Sequence, residues 1–163
     1  MKIFGKDFSA YINFQKMILL LILVVGFLRL ALSLGGLPVS TVKWFSITSA
    51  MFVGMVYYSV RVYTTGFGSY RHLFPLLLIQ GLIGQLITII GIEIANFTGT
   101  DNIFSIAEYS HAVPGKSWMH AASHLVLGGI ILPLMWWLAG CLMMFVTSKL
   151  NSSTNPKSKV ATA

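Results

Sequence analysis

Four stretches, residues 17–34, 44–63, 73–97 and 118–146, are predominantly apolar and hold at most one charged residue each. A bilayer's hydrocarbon core is about 30 Å thick and is crossed by roughly 20 such residues in helical form. Helix is required there because no water is present to satisfy unpaired backbone groups. Turn-rich segments separate the stretches: Gly35-Gly36-Leu37-Pro38, then residues 64–69, then residues 98–116. This pattern predicts an all-α integral membrane protein, a four-helix transmembrane bundle forming one domain over residues 1–150. Residues 151–163 are polar and rich in small residues, which predicts a disordered tail.

Composition narrows the function classes. Eleven Lys and Arg and four Asp and Glu amount to 9% charged residues, against roughly 25% in a soluble globular domain. A soluble fold of this length could not hide an apolar fraction of 56%, because small domains leave much of their surface exposed. An ordinary soluble enzyme, a disordered chain and a nucleic-acid-binding module are excluded. The net charge of +7 reflects missing acids. The single cysteine, Cys141, excludes an intramolecular disulfide and a cysteine-based zinc cluster.

The basic residues give a direction. Lys2, Lys6, Lys16, Arg61, Arg71, Lys149, Lys157 and Lys159 fall on one side of a four-span arrangement; Lys43 and Lys116 fall on the other, with Asp101 and Glu108. Both termini are therefore expected in the cytoplasm, and a bacterial plasma membrane is the expected location. A cleaved signal peptide ending near Ala31-Leu32-Ser33 is the rival reading of the first span. Arg29 and the long basic arm count against it. Asn96-Phe97-Thr98 and Asn151-Ser152-Ser153 match the glycosylation pattern and are read as non-functional.

Helices in lipid pack through small residues. The third span carries such a seam in Gly81, Gly84, Thr88, Gly91 and Ala95, which predicts close helix contact, within the chain or in a homo-oligomer. Gly26, Arg29, Ser33 and Gly36 in the first span, Ser46, Ala50, Gly54 and Tyr58 in the second, and His120, His124 and Gly128 in the fourth mark the other inward faces. Pro133 removes a backbone bond and is expected to kink the fourth helix. Trp136 and Trp137 are expected deep in the bundle, as core.

Charges inside a membrane cost about 2.5–3.5 kcal/mol on insertion scales and mark functional candidates. Arg29, Ser46, Ser49 and Glu93 share one depth, forming a polar layer near the outer surface with His120 and His124. An Arg29–Glu93 pair would lower the cost, but on a helical wheel Glu93 lies opposite the glycine seam. His120 and His124 stand one helical turn apart, a spacing suited to two ligands of one transition metal. His111, Glu108 or Glu93 would supply a third ligand. The alternative is that both histidines bond loop carbonyls. A haem or quinone contact through His120, His124 and Arg29 is the other cofactor reading, although two histidines one turn apart cannot grip opposite faces of one haem. The zinc-protease pattern is absent, since Ala121 follows His120. Asp101 or Asn102 is expected to cap a short interfacial helix reaching Tyr109, with Ile103, Phe104 and Ile106 dipping into lipid. Arg61, Tyr63, Tyr70, Arg71 and His72 around Gly66-Phe67-Gly68 fit a tight turn better than a headgroup-binding loop.

The sequence thus points first to a small non-catalytic membrane protein, a homo-oligomer or a subunit of a membrane complex, with lipid and other membrane subunits as partners and no nucleic acid. A metal- or haem-binding, redox or quinone-linked protein is the alternative. A small transporter or channel comes third, because paired helix breaks are not found.

Overall fold

The computed structural model describes residues 1–108 and 116–154. A two-residue hairpin opens the chain, with β1 (Lys2–Ile3) antiparallel to β2 (Lys6–Asp7). Its turn residues Phe4 and Gly5 both have positive φ, 49° and 86°, the backbone that a two-residue hairpin turn demands. The helices follow as α1 (Phe8–Leu34), a short α2 (Val39–Val42), α3 (Ile47–Thr64), α4 (Tyr70–Thr98) and α5 (Trp118–Ser123). A π-helical segment (His124–Ile131) joins α5 to α6 (Leu132–Thr154). Four helical stretches, 8–34, 39–64, 70–98 and 118–151, are long and apolar enough to cross a membrane.

Several boundaries differ from the sequence expectation. α1 starts nine residues before the apolar run, because Tyr11 and Gln15 already face inward one turn apart. At 27 residues it is about 40 Å long, longer than a bilayer core. The last helix runs to Thr154, into the segment expected to be disordered; residues 155–163 lie outside the described residues.

α4 is the central helix and packs against α1, α3 and the last helical stretch. Its small-residue seam faces these neighbours within the chain. Gly84 sits where a Cβ would come within 2.8 Å of Met51 Sδ and 2.9 Å of Ile47 Cγ2. A Cβ at Gly81 would overlap the Pro133 ring, and one at Gly91 would overlap Phe104. The proline therefore seats against a glycine, and the backbone immediately before it widens into the π-helical segment.

The bundle has two distinct ends. The terminal end holds the hairpin, the 65–69 turn and the later part of α6. There Tyr11 donates to the Ile3 carbonyl at 3.0 Å, and His72 Nε2 lies 3.2 Å from the Phe4 carbonyl. Phe67 stacks on Phe14 with ring centroids 3.8 Å apart, so the Gly66-Phe67-Gly68 turn is pinned to the core. Trp136 is half-buried against the core, as expected. Trp137 also packs against the core and donates to the Tyr70 carbonyl in the first turn of α4, at 2.8 Å, which places its indole near this end.

The loop end holds residues 35–46, 99–108 and 116–117. Here the expected interfacial helix does not form. Residues 101–108 make turns that fold back into the bundle, burying Asn102, Ile103, Phe104 and Ser105. Asn102 Nδ2 donates to the Gly91 carbonyl at 2.7 Å, and the Ile103 backbone N–H donates to Ser33 Oγ at 2.7 Å. The segment plugs the bundle because its polar groups find partners on α1 and α4, which an apolar lipid surface would not offer. Tyr109 lies outside the described residues.

Candidate functional site

The polar side chains gather at the loop end. Ser117 caps α5, its Oγ accepting the His120 N–H at 3.2 Å. This cap starts the helix in a register that turns His120 and His124 to one face. Their Nε2 atoms are 3.1 Å apart and their ring centroids 4.8 Å apart. His124 Nδ1 lies 2.8 Å from Gln85 Oε1. An amide oxygen carries no hydrogen, so Nδ1 of His124 donates. In the neutral pair His124 Nε2 then accepts from the Nε2–H of His120. The row Gln85–His124–His120 therefore fixes both tautomers of the neutral pair.

Gln85 reaches His124 because Gly128 leaves room; a Cβ there would overlap the Gln85 amide. Thr88, one turn on, is buried and donates to the Gly84 carbonyl at 3.3 Å.

Beside this row lies a cavity of about 170 Å³, lined by Arg29, Ile47, Thr48, Gln85, Thr88, Ile103, Phe104 and His124. Arg29 comes from α1, with its guanidinium carbon 5.2 Å from the centre of the Phe104 ring. Thr48 is exposed on the first turn of α3. A cavity of about 150 Å³ is known to hold one benzene ring, so this one has the size for a single six-membered ring. A haem is far too large for it. Its lining offers a guanidinium, two hydroxyls, a carboxamide and an imidazole, with no carboxylate among the described residues. Such a lining suits a head rich in hydrogen-bond acceptors.

The other candidates stand apart. Glu93 and Arg29 form no ion pair; among the described residues the one pair within 4.0 Å is Lys116–Asp101, at 3.3 Å. Glu93 accepts from Asn96 at 2.9 Å and lines a separate groove with Trp118, Ala121 and Leu125. Ser46 caps α3 by accepting the Ser49 N–H at 3.2 Å, so these two serve helix initiation. Glu108 is exposed. His111 lies outside the described residues. Among the described residues no three His, Cys, Asp or Glu side chains cluster as a metal site.

Sequence reasoning missed Gln85, whose neutral amide drew less weight than the charges at the same depth. It also missed Gln15 and Gln80, which are fully buried in the middle of the bundle and bonded to each other at 3.0 Å. The available signal for Gln80 and Gln85 was that a carboxamide inside an apolar span needs a partner; Gln15 lies before the first apolar run and carried no such signal.

No protein-family model matches the chain, and neither the curated proteins nor the solved structures compared with it give a match.

Proposed function

We propose that this chain is a small non-catalytic membrane protein that binds the ring of a membrane-soluble carbonyl compound, of quinone type, in the loop-end cavity, acting as a homo-oligomer or as one subunit of a membrane complex. The observation that carries this reading is the cavity itself, which has room for one ring between Phe104 and two isoleucines. Donors from Arg29, Thr48 and Gln85 stand around it, and the N–H of His124 holds the Gln85 amide oxygen. Carbonyl oxygens at two edges of a ring would accept from these donors. The exposed apolar faces of α1 and α6, including Leu20, Val24, Met135, Leu138 and Leu142, suit lipid or neighbouring subunits. The bacterial plasma membrane, with the loop end outward, is the setting proposed from the basic residues.

The test is purification of the full chain in mild detergent, followed by solvent extraction and mass spectrometry of the bound lipophile. A quinone is expected in the wild type and is expected to fall about tenfold in occupancy in Arg29→Leu and Gln85→Leu. A wild-type preparation without any carbonyl lipophile, which also fails to bind added quinone, would sink the proposal.

A metal-binding reading is favoured by one measurement, the 3.1 Å between the two imidazole Nε2 atoms. Two ligands of one zinc or copper ion at about 2.0–2.1 Å each would sit about that far apart. Elemental analysis of the same preparation tests it: stoichiometric metal in the wild type, lost in His120→Ala, is what this reading requires.

A further inference from the structure

At the terminal end, α1 and α3 leave a groove of about 260 Å³ whose floor is Phe14 and Tyr58 and whose walls include Met17, Ile18 and Val53. Lys16 and Arg61 stand at its mouth, with Asn13 and Tyr57. Arg61 is held in place there. It donates to the Tyr57 hydroxyl, and its guanidinium carbon lies 5.4 Å from the centre of the Phe14 ring and 5.3 Å from that of Tyr57. Among the described residues neither Lys16 nor Arg61 forms an ion pair.

The depth of these groups is informative. Lys16 immediately precedes the apolar run that begins at Met17, and Arg61 is one turn from the end of α3 at Thr64. Both cations thus lie at the level where the helices would leave hydrocarbon. Val53 lies eight residues from Arg61 along α3, about 12 Å at 1.5 Å per residue. The groove therefore runs from phosphate depth down alongside the upper part of an acyl chain. Met17 and Val53 remain 68% and 52% exposed, so no part of the described chain covers its walls.

We propose that this groove binds an anionic phospholipid, with its phosphate between Lys16 and Arg61 and one acyl chain against Met17, Ile18 and Val53. The basic mouth selects net negative charge, because a choline or ethanolamine group would bring a third cation to the two already there. Basic pockets between helices recognise lipid heads in this way.

The full chain, reconstituted in bilayers of equal phosphatidylglycerol and phosphatidylcholine and released in mild detergent, would be examined by native mass spectrometry for retained lipid. Phosphatidylglycerol is expected to be enriched roughly thirtyfold over phosphatidylcholine, given about 1 kcal/mol for each of the two basic residues near a charged surface. Lys16→Gln/Arg61→Gln is expected to retain lipid at the bulk ratio. Lys149→Gln, a basic residue outside the groove, is expected to keep the enrichment. Met17→Trp, which fills the groove without touching its charge, is expected to reduce it, and decides the question alone if the double variant does not fold. A bulk ratio in the wild type overturns the proposal. So does enrichment that survives both the double variant and Met17→Trp, or an equal loss in Lys149→Gln, which would reduce the effect to general surface charge.

Discussion

Gly81 and Gly128 each stand where a Cβ would overlap a neighbour, yet the neighbours differ in what they can do. At Gly81 the neighbour is the Pro133 ring, and the Gly128 and Gly129 carbonyls lie just beyond at 3.5 Å. A pyrrolidine ring cannot rotate away, so Gly81→Ala must push two helices apart. Overpacking of this kind costs about 1–3 kcal/mol, and a clear loss of thermal stability in detergent is expected. At Gly128 the neighbour is the end of the Gln85 side chain, which can swing aside. Gly128→Ala is therefore expected to cost under about 1 kcal/mol, while breaking the bond from His124 to Gln85. Its signature would be near-normal melting with weakened binding in the cavity. The reverse pattern in the two variants would show that the π-helical segment, and not Gln85, decides the packing here. Both glycines were read beforehand as inward-facing, but only the first belongs to a long regular seam. The seam of α4 announces itself by spacing, whereas the need for Gly128 depends on where a glutamine from another helix ends.

The link between α1 and α4 rests on a buried amide pair. Gln80 Nε2 donates to Gln15 Oε1, while Gln15 Nε2 and Gln80 Oε1 have no hydrogen-bond partner. Gly54 makes room for Gln80 Oε1. Gln15→Leu alone strands the Gln80 amide, and Gln80→Leu strands Gln15. Leaving such a group unsatisfied costs about 1–3 kcal/mol, whereas replacing both partners with apolar groups is close to neutral. The double variant is therefore expected to be more stable than either single one, read as melting temperature in detergent. A double variant as unstable as the sum of the singles would mean that the two amides act independently. A second element-level expectation concerns the plug. Phe104→Ala empties the seat on Gly91 and widens the cavity beside Arg29; losses of about 3–5 kcal/mol accompany Phe→Ala in cores. Stability and ring binding should fall together. The long helices were legible from apolar length alone, because runs of about 20 apolar residues fit a helix crossing hydrocarbon and not the shorter, alternating strands of a barrel. The plug was not. Ile103, Phe104 and Ile106 carry the same apolar signal whether they enter lipid or a bundle. What decides is that Asn102 and the Ile103 N–H find partners at Gly91 and Ser33, far away in sequence.

For the molecule as a whole, the charge distribution and the pocket positions bear on one another. Eight of the eleven basic residues belong to the terminal end or the segments that follow it, and Lys43 and Lys116 belong to the loop end. Short basic segments resist translocation, which is the ground for expecting the terminal end in the cytoplasm. Fusions in a bacterial host check this. A C-terminal alkaline phosphatase is expected to be inactive and a C-terminal fluorescent protein to be bright. A phosphatase joined after Thr100 is expected to be active. Active phosphatase at the C-terminus would reverse the molecule. The consequence would be specific, because the two proposed sites lie at opposite ends of the bundle. In the expected orientation the α1–α3 groove meets the leaflet whose anionic lipids face the cytoplasm, and the ring cavity opens toward the outer leaflet. Reversal would exchange those surroundings while leaving both sets of contacts unchanged. Lipid selectivity measured in symmetric bilayers would then persist, and only the compartment from which the cavity is reached would change.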